Sequence, residues 1–161
     1  MRPSFAIAVF TLLPCAGYTE PASQDRLRQL DSIGRSAVER PCARPTQVTI
    51  RMVPNRFDPN SKDEEKRVVC PGLEAYTYVS RASSPPRLLP LALKATAPVA
   101  FIPRDLQIGS PEENLKPLGK PASADGGKLS YVLPSEPGRD AITFTIHKGK
   151  VSTIQWSWDV D

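Results

Sequence analysis

An α+β fold, short helices packed on an antiparallel β-sheet, is what this sequence predicts, and three observations predict it. Apolar residues recur at helical spacing through residues 23–40, whereas period-two alternation marks most other ordered stretches. Proline numbers 18 in 161 residues, which keeps every element short because proline breaks helix interiors and central strands. The last third combines a helix start with three alternating runs, two of them joined by Lys148-Gly149, a tight hairpin connection.

The chain opens on Arg2, an apolar run from Phe5 to Leu13, and the small residues Ala16 and Gly17. A charged start, a short apolar centre and a small-residue exit mark a secretory signal, assigned here to residues 1–17. The run is too short for a membrane span, which needs about 20 apolar residues. Leu12-Leu-Pro-Cys15 offers a second outcome, a lipid anchor at Cys15, although Pro14 stands where such sites carry a small residue. The expected location is therefore outside the cytoplasm: the periplasm, with or without attachment to the outer membrane.

From Ser23 to Arg40, Leu27, Leu30, Ile33, Ala37 and Val38 form one helix face; Ser23 suits the N-cap and Pro41 ends the segment. Gly34 weakens its middle by up to ~1 kcal/mol, so a break there is an open alternative. Val48, Ile50 and Met52 alternate with Thr49 and Arg51 as a half-buried strand, and Pro54–Glu65 reads as a polar loop. Lys66–Cys70 and Leu73–Ser80 are two further strands around a Pro71-Gly72 turn. Arg87–Ala95 and Pro98–Ile102 read as extended, with Pro90 demoting the first to an edge or broken strand.

Ser110-Pro-Glu-Glu113 predicts a capped helix: Ser110 as cap, Pro111 in the first turn, and Glu113 completing a capping box. Pro117 and Gly119 close it after about two turns. Lys128–Leu133, Ala141–His147 and Lys150–Val160 follow as a three-stranded meander. The organisation is thus a signal (1–17), an N-terminal helix with strands (18–105) and a helix-plus-meander unit (106–161). Ile33-Gly34 and Ile108-Gly109 open similar orders of elements, which raises two related helix-plus-strands units as an alternative.

Charge and cysteine content narrow the function classes. The net charge of +4 is spread without like-charge blocks, so no nucleic-acid partner is expected. With Cys15 at the signal exit, Cys42 and Cys70 remain, and two cysteines in an oxidising compartment most simply pair. The bridge would close a loop of about 28 residues, worth roughly 3–4 kcal/mol in the chain-entropy model. With one histidine and no paired-cysteine motif, no structural zinc is expected.

Leu106-Gln-Ile-Gly109-Ser110, Leu118-Gly119-Lys-Pro121, Leu129-x-Tyr131, Ile142-x-Phe144 and Val151-x-x-Ile154 carry a resemblance. This C-terminal third resembles the small bacterial envelope domains of the SmpA/OmlA (BamE-like) family, related in architecture to beta-lactamase inhibitor proteins. The family often has a Met-Thr or Met-Ser start after its glycine; here Ser110 follows Gly109 directly. The resemblance implies a non-enzymatic scaffold, assembly factor or inhibitor that offers a sheet face to another protein, and it supplies no catalytic residues.

Trp156 and Trp158, two apart on a strand, share one face. They serve either as core beneath the short helix or as an aromatic anchor for a partner, tryptophan being enriched in binding hot spots. With Asp159 and Asp161 beside them, this end is the candidate binding patch. His147, the single histidine, sits at a hairpin tip with no acidic orienting partner, which argues against triad-type hydrolysis. Asp58-x-Asn60 with Asp63-Glu-Glu65 resembles a calcium loop but lacks its glycine and third ligand, and reads as a solvated loop. Glycine-rich phosphate loops and dinucleotide fingerprints are absent. The expectation is an exported, non-enzymatic protein-binding module of the bacterial envelope, of assembly-factor or inhibitor/immunity type, with no catalytic residues, metal or cofactor. The alternative is a small periplasmic hydrolase or glycan-binding protein.

Overall fold

The helical spacing of residues 23–40 is realised as α1, Glu20–Glu39, in a computed structural model that describes residues 20–55, 58–82, 84–134 and 140–159. Residues 1–17, expected to be a signal, with Cys15 among them, and Val160 and Asp161 lie outside the described residues. The helix begins three residues before the expected cap at Ser23, because Pro21 falls in the first turn, where a missing N–H costs nothing. Gly34 does not break it. Leu27, Leu30 and Val38 are buried, so the face predicted from spacing is the one that packs.

Eight strands follow: β1 (Gln47–Pro54), β2 (Lys62–Cys70), β3 (Leu73–Ser80), β4 (Arg87–Ala95), β5 (Ser123–Asp125), β6 (Lys128–Val132), β7 (Ala141–His147) and β8 (Lys150–Ser157). They form one open antiparallel sheet in the order β1-β2-β3-β4-β8-β7-β6-β5. Two four-stranded meanders therefore meet at the β4–β8 seam, so residues on both sides of position 105 share one sheet and one core. The Cys42–Cys70 disulfide, Cα–Cα 6.3 Å, ties the chain leaving α1 to the end of β2. Such a bridge belongs to an oxidising, extracytoplasmic environment. No helix among the described residues is long and apolar enough to cross a membrane.

Strand register sorts the side chains into two faces. One cross-sheet row runs Val48, Val68, Ala75, Leu93, Trp156, Ile142, Tyr131, and from Ala75 to Tyr131 it is buried beneath α1 and the helical segment before β5. The adjacent row on the opposite face runs Gln47, Val69, Glu74, Lys94, Gln155, Thr143, Ser130, Ser123. One face is apolar and covered by helix. The other is polar, and among the described residues no helix covers it.

Several expectations need correction. The polar loop ends at Ser61, since Lys62–Glu65 already pair with β1 as part of β2. Pro90 lies in a strand with neighbours on both sides, yet β8 pairs only with Ala92–Ala95, so proline occupies the half of β4 that has no second partner. Val99–Ile102 forms a turn instead of a strand, with Ile102 N–H bonded to Val99 O at 3.1 Å. The meander of the last third has four strands, because Ser123–Asp125 pairs with β6 through the Gly126-Gly127 turn.

The capping box at Ser110 does not form. Residues 112–118 are a 3-10 helix, preceded by another at Arg104–Leu106. Glu112 N–H is already bonded to Gly149 O at 2.9 Å, which keeps Pro111 extended, and the Ser110 hydroxyl donates to Arg104 O at 3.2 Å. Pro117 then removes a donor that an α-turn would need.

Candidate functional site

The tryptophans proposed as a contact patch lie in the core. Trp156 is fully buried and Trp158 is 5 % exposed. Both indoles find partners on α1: Trp156 Nε1 donates to Leu30 O at 3.0 Å, and Trp158 Nε1 donates to Asp31 Oδ1 at 2.8 Å. Gly34 makes this approach feasible, since a Cβ there would stand 2.7 Å from the Trp156 ring. Arg35 bonds Asp31 and Asp140 while its guanidinium lies 5.5 Å from the Trp158 ring centroid. Asp159 contributes its backbone N–H, donated to Asp140 Oδ1 at 2.9 Å, and its side chain is exposed. This cluster clamps helix to sheet. Its aromatic surface is spent on packing, so it does not present the two indoles to a partner.

The chemistry suited to recognition lies on the uncovered face, concentrated on β1, β2 and β3. Arg51 is ion-paired with Glu65 directly across the ladder, and Arg67 with Glu74 on the diagonal. Tyr76 Oη donates to Glu74 Oε1 at 2.5 Å, and the Arg67 guanidinium lies 5.8 Å from the Tyr76 ring centroid. Tyr78 is the next residue on this face. Arg51, Glu65, Arg67, Tyr76 and Leu91 line a hollow of about 260 Å³. Farther along the sheet, a second hollow of about 360 Å³ lies among Asp125, Lys128, Ser130, Thr143 and Gln155. Half-exposed tyrosine and arginine supply apolar area together with directed polar groups, the combination that dominates protein contacts.

Electrostatics hold this face in one arrangement. The Tyr76 hydroxyl, and then Arg67, hold the Glu74 carboxyl below its usual range, and the same hydrogen bond pushes the Tyr76 phenol up. Asp63 is also lowered, first by Tyr78, whose hydroxyl donates to it, then by Arg81 N–H at 2.8 Å and Asn55 Nδ2 at 2.6 Å. Asp63 is buried and fastens Asn55 to β3, and Asp58 closes the 58–61 turn by accepting Asn60 N–H at 3.0 Å. His147 is exposed at the β7–β8 turn, beside Lys148 at φ 51°.

Sequence reasoning passed over Tyr76, Tyr78 and Arg67. The usable signal was parity: Glu74 shares a face with both tyrosines, while Leu73, Ala75 and Thr77 alternate with them and are buried. A carboxylate on the aromatic side marks that side as solvent-facing. No protein-family model, curated protein or solved structure matches this chain.

Proposed function

We propose that this protein is an exported, non-enzymatic protein-binding module of the bacterial cell envelope, an assembly factor or an inhibitor of the immunity type, docking its partner on the uncovered sheet face. One observation carries the reading: that face presents exposed Arg51 beside half-exposed Arg67, Tyr76 and Tyr78 as a hydrogen-bonded, ion-paired group. The disulfide and the signal-like start agree with export, and the resemblance of residues 106–160 points to the same class of role. Exposed ion pairs contribute roughly 0–1 kcal/mol each to stability, so the Arg67 pair is available for contact without being needed for the fold. The test is capture of envelope proteins by the purified chain and by Arg67→Ala/Tyr76→Ala. A specific protein retained by the first and lost by the second supports the reading; equal recovery by both contradicts it.

A second reading, a glycan-binding or hydrolytic envelope protein, is favoured by one feature. A hollow of about 530 Å³ lies between the 112–118 helix and β6, lined by Glu112, Glu113, Leu129 and Tyr131. Titration with soluble peptidoglycan fragments distinguishes the two. Saturable binding lost in Glu113→Gln would favour this second reading, and no binding would leave the protein-docking face as the site.

A further inference from the structure

Strand β1, at one of the two edges of the open sheet, carries an apolar surface on the side opposite the docking face. In β1, Val48, Ile50 and Met52 are 47 %, 55 % and 49 % exposed, although register places them on the apolar, helix-side face. They are exposed because α1 packs chiefly over β4 and β3, away from β1. The backbone beside them is open too. Asn55 N–H bonds Ser61 O at 3.1 Å, continuing the register that pairs Pro54 with Lys62. Because inter-strand bonds alternate along an antiparallel ladder, odd-numbered residues of β1 direct N–H and C=O to β2. Val48, Ile50 and Met52 direct theirs outward.

We infer that β1 pairs antiparallel with β1 of a second copy of this chain, on a two-fold axis at Ile50. In that register Ile50 faces its own counterpart and Val48 faces the partner's Met52. Three residues of each strand then exchange both backbone bonds, giving six hydrogen bonds and one continuous apolar row. The limits of this ladder are built into the strand. Pro54 has no N–H, and Thr46 N–H is already committed to Val69 O at 2.7 Å. Charge selects the same register: Arg51, the single charged residue of β1, falls opposite the partner's Thr49, whereas an axis at Arg51 would oppose two guanidinium groups. A long, nearly uncharged edge is what protein sheets normally protect by lysine, bulge or cover, and among the described residues the terminal proline is the one such device on β1.

A ladder this short lies at the small end of interface sizes, so the dimer is weak, and sedimentation of the purified chain from about 5 µM to about 500 µM covers its range. The expected result is concentration-dependent dimerisation, with hydrogen exchange of the Val48, Ile50 and Met52 amides slowing as dimer forms. The Thr49, Arg51 and Val53 amides, bonded to β2, are protected at every concentration. Ile50→Lys loses two facing isoleucines and opposes two ammonium groups, and should raise the dissociation constant about tenfold or more with an unchanged circular dichroism spectrum. A monomer throughout, a dimer indifferent to Ile50→Lys, or protection of those three amides only by an added foreign peptide would each overturn the inference. None of these outcomes depends on the docking face, because Arg67→Ala/Tyr76→Ala leaves the β1 edge intact.

Discussion

The two halves of the sheet use similar strands for different ends. In β5–β8, alternation separates a buried face from a solvated one: Ile142, Phe144, Ile154 and Trp156 lie inward, opposite Thr143, Thr145 and Gln155. In β1–β4 the same alternation outruns its cover. Leu73, Ala75 and Leu93 are buried under α1, while Val48, Ile50 and Met52, whose pattern is equally apolar, remain exposed. A strand's pattern reports which face could be buried; the reach of the neighbouring helix decides whether it is. The β5–β8 half holds α1 through the indoles of Trp156 and Trp158, and the half where cover ends carries an apolar exposed edge, two ion-paired arginines and the tyrosines.

That contrast breaks most visibly in the β5–β8 half. Trp156→Ala should destabilise the protein by about 3–5 kcal/mol in urea unfolding, the cost of emptying a fully enclosed aromatic site. The disulfide constrains the other half. Cys42→Ser/Cys70→Ser should lower stability by roughly 3–4 kcal/mol while leaving the far-ultraviolet spectrum of the folded protein unchanged. Gly34→Ala tests the helix-to-sheet clamp itself: a methyl 2.7 Å from Trp156 forces the helix away, at a cost of about 1–3 kcal/mol in the same assay.

Acid should act on the β1–β4 half. Asp63 and Glu74 have carboxyls lowered by folding, so the stability they contribute is fully present above their unfolded values, about 4, and is lost as pH falls through their folded ones. Asp63→Asn should flatten the acid limb of a stability-against-pH curve, measured by urea midpoints, and lower the plateau near neutrality. Arg67→Ala should be the mildest change, within about 1 kcal/mol of the parent, because its ion pair is half-exposed.

Much of the fold was legible, and the failures share causes. The bounds of β3 and β7 follow from alternation flanked by turns, and the α1 face follows from Leu27, Leu30 and Val38. Local signals failed where a distant partner claimed the same group: Gly149 took the Glu112 N–H that a capped helix would have left free, and Lys62–Glu65 became strand because β1 lay beside them. Strand β5 was invisible because Ser123–Asp125 has no apolar alternation and exists by pairing with β6. The candidate site was less legible. Tryptophan suggested a contact patch, but an indole two residues from another on an inward face is core. The residues that face out were smaller aromatics flagged only by the parity of Glu74.

Which face of the sheet meets a partner is measured directly by paired capture. Folded parent protein and folded Arg67→Ala/Tyr76→Ala are each incubated with envelope extract, and the recovered proteins are compared. Docking on the uncovered face requires one protein held by the parent and absent from the variant. The same protein recovered in equal amount by both would contradict it.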